Sequence, residues 1–380
     1  MKTAYTLLLI LMIPILLTWS CEKDTDYNPE YPADELIQDG SYLGDYWPTP
    51  GWRTCKPSEV GMDEEKLRKM NEEFAILLEL HTAMHSVIVI RKGYIVAEQY
   101  YSDQYTTDSL HKIYSCTKSF TSAALGIAMD EGYLNSVDQK IVDFFPEYTL
   151  ENPDPQKNEI TIYDFLTMSA GLEWKEIDYP YDDDRNSYNL WIASDDRVKY
   201  VLDRPLVYPP GTQYDYNTGI SHVLSAIIGK TTGTRTDEYV RDRIFEPLGI
   251  TDYYWPRDNR GIPYGGTGLR LKSRDLAKFG YLYLKNGMWD GEQIVPAAWV
   301  AASIQPYIQR RYITDYYYGY QWWIDPDGSY AAVGYAGQWL FIVPEHDLVV
   351  VFNNNFDESE WLQVSTPVRM MEEYILPAVQ

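Results

Sequence analysis

Cysteine and histidine are scarce in this chain of 380 residues: there are three of the first and five of the second, with no C-x-x-C and no H-E-x-x-H. Zinc sites and thiol redox centres draw on such clusters, so no metal site is expected and no cofactor is implied. Positive charge is short as well. Lys and Arg total 32 against 56 Asp and Glu, a net charge of −24, and the basic residues are scattered. Nucleic acid and anionic membrane surfaces need a concentrated basic face, which argues against both as partners. Long apolar runs are missing: residues 7–17 make a run of only eleven, where a spanning helix needs about 20. No G-x-S-x-G occurs, which argues against an α/β-hydrolase. The glycines of Gly265-Gly-Thr-Gly268 follow no strand and precede no G-K-[ST], so they read as a structural turn.

What is present begins with an export leader. Lys2 and the short apolar run fit a signal peptide over residues 1–20. Ser20-Cys21 then resembles the bacterial lipoprotein cleavage site, with Glu22-Lys-Asp24 as an acidic start to a tether. Lipidation at Cys21 is expected, with simple secretion and an uncleaved anchor as alternatives, so membrane contact would run only through a lipid. The location implied is periplasmic, or the outer membrane as a lipoprotein. Residues 21–50 are polar, Pro- and Asp-rich and aperiodic, which reads as a flexible tether. Cys55 and Cys116 are expected as free thiols. Aromatics reach 15%, with 35 Tyr and 12 Trp; most belong to core and sheet, so the count alone implies no sugar-binding function.

From residue 51 onward the patterns are those of a folded domain. Asp63 is placed to cap a helix whose Leu67, Met70, Phe74 and Leu77 recur at three and four. Residues 86–91 and 94–101, joined by Lys92-Gly93, read as a hairpin. Residues 161–171 look like a short helix stopped by Gly171, and 173–189 like a long acidic, solvated loop that could also cover a site. Residues 235–310 read as mostly helical. The carboxy end returns to β in a meander counted as three strands over 319–324 with 329–334, 338–343 and 348–353, before a last helix from about 364 to 375. The strands come from both chain ends. The expected fold is therefore α+β: a five-stranded antiparallel sheet flanked by terminal helices (51–110 and 315–380) with an inserted helical lobe (111–314) and the site between them.

Chemistry concentrates at residues 114–132. Ser-x-x-Lys occurs three times, at Ser20/Lys23, Ser109/Lys112 and Ser115/Lys118, so the spacing alone is weak. Only Ser115 is followed by the small and apolar residues of a tightly packed helix, Ala123, Ala124, Gly126, Ile127 and Ala128. One helical turn places Ser115 and Lys118 on the same side. A buried lysine whose pKa is lowered by desolvation is able to take the serine proton, and free N–H groups at a helix start are able to hold an oxyanion. Tyr216 follows a rigid Pro-Pro-Gly turn. If it points at Lys118, phenol and amine can share a proton near Ser115.

Ser115-Cys-Thr-Lys118, Tyr216-Asn-Thr218 and Tyr335-Ala-Gly337 stand in the order of the three motifs of the serine β-lactamase and penicillin-binding-protein superfamily. Together with Ile160-Thr-Ile, Gly268-Leu-Arg-Leu and Gly334-Tyr-Ala-Gly-Gln338, they make the chain similar to the class C β-lactamase-related branch of serine hydrolases. The resemblance implies an acyl-enzyme on Ser115, with Lys118 as proton acceptor and Tyr216 as proton relay. It also implies an oxyanion hole from the backbone N–H groups of Ser115 and Gln338, and substrate contacts at Asn217, Thr218, Tyr335, Ala336 and Gly337. Two departures bear on substrate. The second motif is usually Y-x-N, but its third place here is Thr218, with the asparagine displaced to Asn217. The third motif usually starts with Lys or His, whereas Tyr335 carries no charge. Efficient β-lactam hydrolysis is therefore not expected. The pattern is similar to the esterase and aminohexanoate-oligomer hydrolase group, and implies a small ester or amide substrate. A catalytically silent receptor for peptide or glycan, or a D-amino-acid peptidase or weak β-lactamase, is the alternative.

Overall fold

The computed structural model describes residues 46–80, 84–310, 316–356 and 360–380; the leader, Cys21 and the tether up to residue 45 lie outside them. The sheet begins with β1 (Met84–Arg91), an interior strand whose eight residues are all buried. Its continuous apolar run reflects burial on both faces. The turn at Lys92-Gly93 leads into β2 (Tyr94–Tyr100), and His111–Lys112 forms the short β3. The helical region follows: α2 (Thr117–Asp130), α3 (Ile162–Leu166), α4 (Ser187–Ala193), α5 (Arg197–Leu202), α6 (Thr218–Thr232) and α7 (Thr236–Val240). Then come β4 (Arg270–Leu271), α8 (Ser273–Leu284), a small hairpin of β5 (Met288–Trp289) and β6 (Glu292–Gln293), and α9 (Ala297–Ser303). The chain closes with β7 (Ile308–Gln309), β8 (Tyr317–Tyr318), β9 (Trp323–Ile324), β10 (Tyr330–Gly334), β11 (Gln338–Val343) and β12 (Leu348–Asn354).

The main sheet is antiparallel and runs β2-β1-β12-β11-β10-β9-β8-β7. It thus has eight strands rather than the five expected. Five are long, and the other three have two residues each, too short to show an alternating pattern. The segment 319–324 shrinks to β9 because Gln321 takes a left-handed conformation (φ 64°) and the N–H of Gly319 turns back onto the Trp322 carbonyl. β7, on the stretch assigned to the helical lobe, supplies the far edge of the sheet.

Alternation divides the core. Val87, Val89, Val350 and Phe352 face the terminal helices α1 (Glu64–Leu80) and α10 (Glu360–Met370), whose Leu67, Met70, Phe74 and Met370 are buried there. Ile88, Ile90, Val349 and Val351 face the opposite way, into the larger core that holds α2, α6 and α8. Asp63 caps α1 through Oδ1, which accepts from the N–H groups of Glu65 and Lys66. Gly126 lets α2 lie against α9: an added Cβ would meet the Trp299 ring at 2.2 Å.

Two expectations need correction. Order begins before residue 51, because Trp47 packs on Tyr281 and Trp289, and Thr49 accepts hydrogen bonds from Lys278 and Trp289. The stretch 173–189 is not simply solvated. Its Glu176 and Asn186 are buried, and Asn186 Nδ2 donates to the carbonyls of Glu176 and Tyr179, closing the loop on itself.

Candidate functional site

Ser115 sits in a single 3-10 turn, Tyr114–Cys116, that feeds directly into α2. The turn is pinned from both sides. The Ile113 N–H donates to Leu269 O at 3.0 Å, and Cys116, fully buried, points its thiol at the Gln338 carbonyl 3.8 Å away. Tyr114 holds φ at 46°, a left-handed conformation that costs a side-chain-bearing residue free energy and needs surrounding structure to enforce it. Ala336, at φ 62°, is a second such residue in the third motif. Its N–H donates to Gln363 Oε1 and its carbonyl accepts from Phe356.

Lys118, one turn on from Ser115 and the second residue of α2, is 1% exposed. Its Nζ lies 2.8 Å from Ser115 Oγ, 2.8 Å from the Gly266 carbonyl and 3.0 Å from Thr218 Oγ1. The glycine run read as a plain turn therefore also supplies a ligand for the ammonium. Glycine is required at 266 because a Cβ would lie 2.8 Å from Thr218. Burial pulls Lys118 down from 10.5 to about 8, against the opposing pull of the Glu176 carboxylate.

Glu176 is the residue that sequence reasoning missed. It is 1% exposed, and its carboxylate accepts four hydrogen bonds. Oε1 accepts from Thr218 Oγ1 at 2.6 Å and Tyr181 OH at 2.8 Å; Oε2 accepts from Thr218 N and Trp174 Nε1, both at 2.8 Å. The only available signal was a glutamate set among tryptophan and tyrosines in an otherwise acidic loop. The consequence is directional. With its O–H committed to Glu176, Thr218 meets Lys118 with a lone pair. A neutral Lys118 then places its two N–H bonds on Thr218 and Gly266, which leaves its own lone pair facing Ser115.

Tyr216 is 7% exposed and reaches the same point from the Pro209-Pro-Gly turn. It presents its ring face to Lys118, with Nζ 4.6 Å from the centroid. Burial, and then the Glu176 charge, push the phenol well above its ordinary value of 10, while the neighbouring Ser115 hydroxyl pulls it down. The phenol is therefore an acid held protonated at neutral pH.

Asn217, expected as a substrate contact, is a helix cap: its buried Oδ1 accepts from Ile220 N at the start of α6. Thr218, likewise expected at the substrate, is turned inward to the lysine and Glu176. Tyr335 packs edge-on against Tyr114 and Tyr181 at 5.5 and 5.0 Å between centroids. Gly337 is held by Asn354, and the Gln338 side chain is buried against the Asn354 carbonyl. Among the described residues no cluster of three or more metal-ligating side chains occurs.

The Beta-lactamase family profile matches residues 79–372 of this chain, a span that holds the site just described. The chain belongs to the Beta-lactamase family. The 6-aminohexanoate-dimer hydrolase of Paenarthrobacter ureafaciens is 26% identical over 71% of this chain and 72% of its own. Among solved structures, a putative 6-aminohexanoate-dimer hydrolase from Bacillus anthracis superposes with a TM-score of 0.69 at 24% identity, over 80% of this chain and 81% of that one. A family VIII carboxylesterase does so at 0.65 and 16%, over 83% and 98%. The chain thus has the beta-lactamase fold of a serine hydrolase-type family, and proteins similar to it include a 6-aminohexanoate-dimer hydrolase and a carboxylesterase by name.

Proposed function

We propose that the protein is an exported serine hydrolase that cleaves a small ester or amide through a covalent acyl-enzyme on Ser115. The observation that carries this reading is the hydroxyl of Ser115 lying 2.8 Å from a buried amine pulled down to about 8. Lys118, when neutral, takes the Ser115 proton as Oγ bonds the carbonyl carbon. The oxyanion that forms is held by the backbone N–H groups of Ser115 and Gln338, the latter the first residue of β11 and adjacent to Cys116. The tetrahedral centre then collapses. The bond to the leaving oxygen or nitrogen breaks, and that atom takes a proton from the Tyr216 phenol, which recovers one from Lys118. Water enters next, loses its proton to the same pair, and adds to the acyl carbon; the carbon–Oγ bond breaks and Ser115 regains its hydrogen. The ester and amide hydrolases among the relatives support this substrate class. Tyr335 in place of a third-motif cation supports weak activity on β-lactams. Export to the periplasm, with a lipid on Cys21, completes the reading.

The test is intact-mass analysis after mixing with a fluorophosphonate and a panel of aryl esters and amides. One adduct per chain, absent in Ser115→Ala along with ester turnover, is expected. Unchanged hydrolysis by Ser115→Ala would sink the reading.

A further inference from the structure

β3 and β4 form a two-stranded ribbon beside the nucleophile turn, and in its register Lys112 stands directly opposite Arg270. Cross-strand neighbours share a face with their Cβ atoms about 5 Å apart, and two like charges there are destabilising. Ribbons normally place a carboxylate in one of these positions. Lys272, two residues on, does find carboxylates in Asp108 and Asp252. Among the described residues neither Lys112 nor Arg270 forms an ion pair. Each cation instead lies on a tyrosine face: Lys112 Nζ is 4.2 Å from the Tyr114 centroid, and Arg270 Cζ is 5.4 Å from that of Tyr254. Burial, then the Arg270 charge, lower the lysine below its usual value.

The ribbon is tied to the catalytic turn. The Ile113 N–H bonds Leu269 O, and the Leu269 N–H bonds Thr117 Oγ1. Tyr114, carrying Lys112 on its face, directly precedes Ser115 and touches Tyr335. A paired positive charge thus survives at the lip of the site in a protein of net charge −24, whose overall field repels anions.

We propose that Lys112 and Arg270 form an anion subsite that receives a carboxylate carried by the ester or amide substrate. It takes over, from the nucleophile side of the cleft, the task that uncharged Tyr335 cannot perform. This rests on the hydrolase reading above, and two measurements separate their failures. The first compares kcat/KM for neutral aryl esters with that for matched esters bearing a carboxylate on the acyl chain or on the leaving group. Wild type should prefer one carboxylate series by about tenfold or more. The ratio should collapse toward one in Lys112→Met/Arg270→Met, and persist in Lys112→Arg/Arg270→Lys. The second is calorimetric titration of Ser115→Ala with glutarate. Saturable binding is expected, weakened by salt and lost when the two methionine substitutions are added. Glutarate binding without turnover of any ester would leave the subsite standing and remove the hydrolase reading. Turnover with no carboxylate preference, or glutarate binding untouched by the double substitution, would overturn the subsite.

Discussion

Glu176→Gln tests how the amine of Lys118 is prepared. At pH 7 a lysine left at 10.5 is neutral in roughly one molecule in 3,000, whereas at about 8 the fraction is near one in eleven. Burial therefore raises the supply of free base by ~300-fold, and Glu176 works against it by stabilising the ammonium. Removing that charge should lower Lys118 further. The rate depends on neutral amine, so log kcat/KM rises with pH through the Lys118 value and levels off above it; in Glu176→Gln this rise should move to lower pH. The plateau should fall at the same time. The carboxylate accepts from four donors, and a carboxamide NH2 in place of one oxygen fails two of them. If Thr218 turns its O–H toward Lys118, it competes for the lone pair that Ser115 needs. One misdirected hydrogen bond at ~1.5 to 3 kcal/mol corresponds to roughly 10- to 150-fold. The assay is a pH–rate profile with a neutral aryl ester between pH 5.5 and 10, for wild type and variant. A rise that stays near 8 or shifts upward in Glu176→Gln would refute this account of the amine.

Other positions give independent checks. Thr218→Val removes both the acceptor for Lys118 and the donor to Glu176, and should lower kcat by about 10- to 100-fold; Thr218→Ser keeps both and should stay within a few-fold of wild type by steady-state assay. Gly126→Ala gains up to about 1 kcal/mol of helix propensity, but its Cβ would lie 2.2 Å from the Trp299 ring close to that residue's backbone. A net loss of ~1 to 3 kcal/mol in urea unfolding is expected. His85 and His111 share a 2.7 Å hydrogen bond, and burial lowers each from 6.5 to about 4. The folded pair binds protons less readily than the unfolded chain, so stability should decline as pH falls from about 6.5 toward 4 and change little above. For the better-buried His111 the loss is at most about 3.5 kcal/mol, and chemical denaturation across that range should show a smaller decline in His111→Gln.

Much of this architecture was legible because its signals are local. The period of Leu67, Met70 and Phe74, the cap at Asp63, the turn at Lys92-Gly93 and the buried run of β1 each specify their element within a few residues. Strands of two residues carry no period, so β7 and β8 were invisible and β9 was seen only as the end of the longer stretch 319–324. Within the site, Ser115, Lys118 and Tyr216 were found by order and spacing, and the structure brings all three together. Glu176 was not, since a glutamate near Asp182, Asp183 and Asp184 looks like one more solvated charge. Only the fold supplies the four donors that make its burial tolerable.

The two departures from the usual motifs have a common structural account. With Asn217 spent on capping α6, the third place of the second motif falls to Thr218, whose hydroxyl is too short to reach past the lysine toward a substrate. It can, however, bridge inward to a second buried group, and Glu176 is delivered to it by the loop that also carries Tyr181. That same Tyr181 packs on Tyr335 at 5.0 Å, in the place where a long cationic side chain would have to lie. A lysine at 335 would set an ammonium beside the rings of Tyr114 and Tyr181 and near Lys112. Neutral tyrosine is therefore the residue the surrounding aromatic cluster accommodates, and charge recognition has to come from outside that cluster. Restoring the usual residue with Tyr335→Lys should then leave β-lactam hydrolysis low, because Thr218 remains committed to Glu176 and Lys118. A large gain in β-lactam turnover from that single substitution would show that the missing cation alone, and not the inward-turned second motif, limits the site.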